Sequence, residues 1–349
     1  MTPQKRRRKD QRNIKDESTF ISKLESFVKP NPIEKWTSIR QLHPIRSVFL
    51  CQNDDTSELF VVKAFPKSWY KQHKDRRIRI QHEIVNHMYF AAAAAAALSS
   101  ESTKSILKPQ RWWTGSQGTI FLAVDYVEGF DLFSGLIEPL RFGKDEEDRS
   151  IFEWYNEDVM RMWIKDVICA LDSMHKNGMV HGDVKPDNLL FSFRDGIVRL
   201  ADFGASVRFP GNTKNKDKEK KIRYTYDFGT VDYIAPELVN REDFGTGIDT
   251  WALGVTAFEL CYGFPPFEPL EDPKGAEGHP DTEQKLKHDP YADTKSAIRE
   301  VAYTFDQEPL LTFSPSEQLK DFISKLLKRE PAERMTLRQC LEHSWLKNK

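Results

Sequence analysis

Cysteine is nearly missing: the 349 residues contain four, Cys51, Cys169, Cys261 and Cys340, far apart and with no CxxC pair. That argues against a zinc knuckle and against a disulfide framework. Four reduced thiols are the expectation, with a cytoplasmic or nuclear location. No long hydrophobic run is present either. The longest, Met88 to Leu98, has eleven residues, too few to span a bilayer as a helix. The first residues are basic and polar with no apolar stretch, so no secretory signal is expected. A formal net charge of −1 gives no argument for a nucleic-acid or membrane partner, and neither is expected. No internal repeat is visible.

What is present suits a globular chain of more than one core. Apolar residues make up 39% and charged residues 30%, ordinary for such proteins, and the length fits two lobes. Charge is unevenly placed. KRRRKDQR (Lys5–Arg12) is strongly basic and KDEEDR (Lys144–Arg149) mostly acidic. Residues 1–35 are read as a disordered basic tail. Within it FISKLESFV (Phe20–Val28) is a candidate amphipathic helix, and KPNP (Lys29–Pro32) is a breaker. The basic run reads as a nuclear address, a contact for an acidic surface or a solvated end.

Residues 36–126 are strand-rich. SVFLC and LFVVKAF are β-branched and aromatic runs joined through QNDDTS, which predicts a hairpin. A helical stretch follows, running into an alanine-rich insert over 89–104. RWWTGSQGTIFLAVDYV predicts two more strands. Residues 127–349 turn helical. EDVMRMWIKDVICALDSMHKNG places Met160, Trp163, Val167, Leu171 and Met174 on one face and ends at Asn177 and Gly178. Short strands are expected at MV, NLLFS and IVRLA, then a buried helix in GTGIDTWALGVTAFELCYG and two amphipathic stretches near the end. The fold class is α+β, two-lobed, with a small β-rich lobe and a larger helical one.

Four features point to phosphoryl transfer, a reaction that needs phosphates held still, metal bridging them and a base that orients the hydroxyl. Lys63 sits in the apolar strand VVKAF. Alone it reads better as an exposed strand lysine, but Glu83 in the following helix could pair with it and aim the ammonium at phosphate oxygens. In MVHGDVKPDNLLFSF, Asp183 suits a base that accepts the hydroxyl proton, Lys185 could balance the charge of the transferring phosphate, and Asn188 suits a magnesium ligand. In LADFGAS, Asp202 supplies a hard oxygen for magnesium, and Gly204 is read as permitting a backbone turn that other residues resist. GTVDYIAPE (Gly229–Glu237) and DTWALG (Asp249–Gly254) are read as architectural, with Glu237 paired to Arg334.

These motifs, in this order, resemble the eukaryotic protein kinases from about residue 36 to 347. The resemblance implies ATP and magnesium as cofactors, bound between the lobes. It implies that Lys63 contacts the phosphates and pairs with Glu83, that Asp183 is the catalytic base assisted by Lys185, and that Asn188 and Asp202 hold the metal. It implies that Val48 and Val61 border adenine, that Val124 is the gatekeeper, and that Asp125 to Val127 form the hinge, with Asp131 just beyond. Lys185–Pro186 and Thr230 favour serine/threonine over tyrosine as acceptor. LADFGASVRFP, GTVDYIAPELV, GFPPFE and LEHSWL are most similar to Aurora-like and neighbouring basophilic kinases.

Several residues depart from that pattern. The glycine-rich loop over the phosphates has no glycine: its three positions fall on Gln41, His43 and Arg46, predicting weaker or altered ATP binding. Gly182 replaces the arginine that usually pairs with a phosphate on the activation segment, so activity is expected to be constitutive or governed by a regulatory protein partner. The activation segment carries a lysine-rich insert, NTKNKDKEKKIRYTYD, with Tyr224, Thr225, Tyr226 and Thr230 as candidate phosphosites. Asp131 and Asp187 stand where basophilic relatives receive substrate arginines, so protein substrates with basic residues near the target Ser or Thr are expected; solvated acidic faces are the alternative. The functional reading is a serine/threonine protein kinase. A pseudokinase scaffold is the rival, and a small-molecule kinase a third.

Overall fold

A computed structural model describes residues 20–33, 35–42, 47–96, 103–139, 154–209, 222, 229–268, 291–307 and 313–347. The basic run, KDEEDR, the lysine-rich insert with Tyr224, Thr225 and Tyr226, and loop positions His43 and Arg46 lie outside these residues. The chain divides into two compact units: residues 1–128 with 201–207, and 129–200 with 208–349.

The first unit is a five-stranded antiparallel sheet, ordered β1–β2–β3–β5–β4, from Trp36–Gln41 (β1), Val48–Asn53 (β2), Leu59–Phe65 (β3), Pro109–Thr114 (β4) and Ile120–Asp125 (β5). Its register sorts side chains onto two faces. Val48 lies opposite Lys63, and Val61 opposite Val124, so these four share one face. The other face is a buried cluster of Ile33, Cys51, Phe60, Val62, Trp113 and Ala123, with Trp36, Phe49 and Phe121 against it.

That cluster corrects one expectation. Residues 1–35 were expected to form a disordered tail, yet 20–33 are folded. Residues 20–27 form a helix (α1) whose Phe20 and Leu24 are buried, Phe20 lying 5.8 Å from the Tyr70 ring. The Asn31 amide donates to the Trp112 carbonyl (2.9 Å), and Ile33 joins the sheet core. The i, i+4 apolar pair is the helical signal in FISKLESFV; the sheet face that Ile33 covers supplies the reason to order the rest.

Between β3 and β4 run Lys67–Tyr70 (α2), Lys74–Gln81 (α3), a π-helical turn at His82–Asn86, and His87–Ala96 (α4). Glu83, Ile84, Val85 and Asn86 are all buried; four consecutive buried positions match the wider π turn better than a one-sided α-helix.

The second unit is mainly helical, with Gly129–Asp131 (β6), Met179–Val180 (β7), Leu189–Ser192 (β8) and Val198–Leu200 (β9); β6, β8 and β9 form an antiparallel sheet. Glu157–Lys176 (α5) is capped by the Asn156 side chain and buries Met160, Trp163, Val167, Leu171 and Met174. It ends at Asn177, with Gly178 at φ +73°, a left-handed stop. Gly247–Tyr262 (α6) is buried along almost its whole length, as a central bundle helix should be. Glu317–Leu326 (α7) starts at a Ser316 cap. Among the described residues no helix is long and apolar enough to cross a membrane, and all four cysteines are free.

Candidate active site

Each unit holds a cluster of candidate residues. In the first, Lys63 projects from β3 and its Nζ lies 2.6 Å from Glu83 Oε1 and 3.6 Å from Asp202 Oδ2. Glu83 is almost wholly buried. Burial pushes its carboxyl up to about 8, the neighbouring Asp202 charge adds to this, and Lys63 opposes it. Glu83 and Asp202 therefore share one ammonium, and the raised Glu83 carboxyl holds its proton in part rather than set a second full charge beside Asp202.

Asp202 adopts a left-handed backbone, φ 64° and ψ 87°, and its Oδ1 accepts from the Gly204 amide at 3.1 Å. Aspartate tolerates this region better than most residues, at a cost of about 1 kcal/mol or more. The expectation for Gly204 is thus corrected, because the positive φ belongs to Asp202. Gly204 eases close approach instead: a Cβ there would lie a tight 3.1 Å from Asp202 Oδ1 and 3.2 Å from Glu83 Oε2. The π turn and α4 hold this segment. Asn86 Nδ2 donates to the Ser206 carbonyl (2.8 Å), and the His87 ring stacks on buried Phe203 at 4.0 Å.

Val48 and Val61 are half-buried and Val124 is buried, on the same sheet face as Lys63. Asp125 closes β5; its amide donates to the Lys108 carbonyl (2.9 Å) and its side chain accepts from Gln110 (3.0 Å). Val127 follows the strand, half-buried. Gln41, one of the glycine-loop positions, is the exposed last residue of β1.

In the second unit a polar cluster surrounds Asp183. Asn188 Nδ2 donates to the Asp183 carbonyl (2.7 Å) and to its Oδ2 (3.1 Å). The Thr230 hydroxyl donates to Asp183 Oδ1 (2.9 Å) while accepting from Lys185 Nζ (2.6 Å). Lys185 Nζ lies 3.5 Å from Asp183 Oδ2. The Asn188 amide hydrogens are thus engaged with Asp183, which leaves its carbonyl oxygen for a hard cation. Among the described residues no group of three or more His, Cys, Asp and Glu is placed to ligate a metal. The Asn188 and Asp202 side chains each offer, within their own unit, an oxygen of the kind magnesium takes, a cation that keeps several waters and needs few protein oxygens.

Asp249, which the sequence marks only as architectural, proves central to this loop. It is fully buried on α6 and accepts three hydrogen bonds: His181 N (2.8 Å) and His175 Nε2 (2.7 Å) at Oδ2, and Gly182 N (2.8 Å) at Oδ1. Burial alone would raise its carboxyl; the His175 hydrogen bond and charge, the His181 charge and the Gly182 amide together pull it below the ordinary value. Gly182 has φ +80°, a conformation that is costly for any residue with a Cβ. A Cβ on Gly229, itself at φ +83°, would meet the Gly182 carbonyl at 3.0 Å, so the two segments touch backbone to backbone. The DTW string alone carries no sign of these contacts, since Asp249 lies 68 and 67 positions from His181 and Gly182.

Asp131 caps a turn through the Ser134 amide (2.8 Å). Burial raises its carboxyl, and the Asp187 charge contributes. Glu237 and Arg334 form the expected pair, buried and bidentate at 2.8 and 2.7 Å.

The model of the protein kinase domain matches residues 45–346. The chain is similar to calcium/calmodulin-dependent protein kinase type 1B of Rattus norvegicus, 29% identical over 301 residues, 86% of this chain and 71% of the relative. It is similar to the Aurora kinase of Schizosaccharomyces pombe, 27% identical over 300 residues, 86% of this chain and 67% of the relative. The Aurora kinase of Candida glabrata is 34% identical over 196 residues, 56% of this chain and 45% of the relative.

Proposed function

The chain belongs to the protein kinase domain family, in its serine/threonine branch, and from that premise we propose that it transfers the γ-phosphate of ATP, with magnesium, to Ser or Thr hydroxyls of proteins. The observation that carries this reading is the set of contacts around Asp183, whose carboxylate is oriented by Asn188 and Thr230 and neighboured by Lys185.

In the proposed reaction the acceptor hydroxyl approaches Asp183 Oδ2, while Thr230 holds Oδ1. The hydroxyl oxygen forms a bond to the γ-phosphorus as the β–γ bridging bond breaks to release ADP, and the hydroxyl proton passes to Asp183. Lys185 stabilises charge on the phosphoryl group in flight. Lys63, held by Glu83, positions the ATP phosphates. Asn188 and Asp202 would each offer an oxygen to magnesium, which would supply neutralisation of phosphate charge.

Two finer features belong to the same proposal. Asp131 and Asp187 repel one another, so a substrate arginine or lysine beside them would relieve both; this supports a preference for basic residues near the acceptor. Gly182 has no side chain with which to grip a phosphorylated activation segment, which supports control by a protein partner or constitutive activity. A non-catalytic scaffold is favoured by the absence of glycine from QLHPIRSV and by Gly182 in place of the usual arginine. The two readings separate when the protein and its Asp183→Asn variant are given γ-labelled ATP, magnesium and a basic Ser/Thr protein. Loss of labelling in the variant is expected; equal labelling by both rejects catalysis.

A further inference from the structure

Apart from the cluster at Asp183, the second unit presents an exposed aromatic face built from β6, the β8–β9 turn and the start of α5. Phe193 is 66% exposed, Met162 58% and Trp154 42%. These are not scattered single residues. Phe193 touches Phe130 (ring centroids 5.6 Å) and Phe191 (5.9 Å), Phe191 touches buried Trp163 (5.2 Å), and Trp163 touches Trp154 (6.0 Å). The hydrophobic core thus continues to the surface. Met162 stands one turn before Asp166, whose carboxylate accepts the Val198 amide, so it shares the helix face turned toward β9. Two glycines permit the arrangement. A Cβ on Gly135 would fall 2.1 Å from the Phe130 ring, and one on Gly129 would fall 1.8 Å from the Phe191 carbonyl oxygen.

Nothing in the folding of the turn calls for a phenylalanine at 193. Turn positions favour small polar residues, and a contiguous exposed aromatic face generally marks an interaction site. The charges beside it specify the partner. Arg194, next to Phe193, and Lys165, one turn after Met162, are exposed and have no side-chain hydrogen-bond or ion-pair partner among the described residues. The acids on their side are engaged: Asp195 by Arg199, Asp158 by Arg161, and Asp166 by the β9 backbone.

We propose that this face docks a linear segment of a partner protein that carries a large apolar side chain beside carboxylates. The apolar side chain packs against Phe193, Phe130 and Met162, and the carboxylates meet Arg194 and Lys165. Such segments bind through one or two anchors rather than through large areas. The inference goes beyond kinase activity and does not depend on it.

The test uses the full chain and three fluorescein-labelled peptides, GEEFLEEG, GKKFLKKG and GEEGSEEG, with fluorescence anisotropy as the readout. The first is expected to bind with a dissociation constant on the order of 100 μM, and the other two at least about tenfold more weakly. Phe193→Ser and Met162→Ser, both at largely exposed positions and so expected to leave the chain folded with at most a small drop in unfolding temperature, should each weaken the first peptide about tenfold. Arg194→Glu should bring the lysine peptide level with the glutamate one. No binding of the first peptide, equal binding of the lysine peptide to the unaltered chain, or binding indifferent to both serine variants would overturn the proposal. So would a concentration-dependent dimer in sedimentation equilibrium that Phe193→Ser dissolves, because the face would then belong to a second copy.

Discussion

Replacing Asp249 by Asn tests how the fold places the catalytic loop. The carboxylate accepts three donors from within full burial, with Oδ1 taking the Gly182 amide and Oδ2 taking His181 and His175. A carboxamide offers one oxygen and turns an N–H toward whatever faced the other. In either orientation at least one buried donor loses its acceptor and meets another donor, at about 1–3 kcal/mol, and the remaining bonds lose their charge assistance, a similar amount. The sum is about 2–6 kcal/mol, to be read by urea denaturation of the full chain at pH 7. Since His181 and Gly182 lead directly into Asp183, turnover should fall about tenfold or more, with the KM for ATP little changed.

The pH dependence carries a sign. A carboxyl whose folded value lies below its unfolded value, near 3.9, contributes stability that is fully present above the unfolded value. That contribution is lost as pH falls through the folded one. Asp249 is such a group, so the deficit of Asp249→Asn should shrink on acidification below about pH 4, as far as the unaltered protein stays folded. A deficit under about 1 kcal/mol at pH 7, or one that does not change with acid, would refute the reasoning.

Two further predictions concern the frame. Arg334→Met leaves buried Glu237 without its bidentate partner and should cost about 3–5 kcal/mol, while Glu237→Gln combined with Arg334→Met should cost less than the sum of the two single changes in a denaturant cycle. Leu24→Ala removes a buried side chain of α1 and should lower stability by about 2–3 kcal/mol; a thermal shift indistinguishable from zero would mean that α1 does not dock.

The cluster around Asp183 was legible in part because several of its members are close neighbours in the chain. Asp183, Lys185 and Asn188 fall within six residues of one loop, and the sheet register that sets Lys63 opposite Val48 follows from a plain β-branched alternation and a short hairpin. Contacts between distant segments were not legible. Thr230 reaches Asp183 across 47 positions, and Asp249 reaches the loop across 67; no periodicity encodes either. The left-handed backbone at Asp202 displaced the role expected of Gly204, because the neighbouring Glu83 and the Gly204 amide, not residue preference, decide which residue takes the strain. Residues 20–33 look like a polar tail until a sheet face needs covering. Only then does Ile33 find its place in the sheet core.

The central claim is that the chemistry at Asp183 survives the absence of glycine above the phosphates. The most direct measurement pairs magnesium-ATP affinity with single-turnover transfer of labelled γ-phosphate to a Ser/Thr peptide, in the unaltered protein and in Asp183→Asn. The prediction is measurable magnesium-dependent affinity in both, within about twofold, and transfer at least about a hundredfold slower in the variant, the scale of a lost general base. Transfer at the same rate in both proteins, or no magnesium-ATP affinity in either, would contradict it.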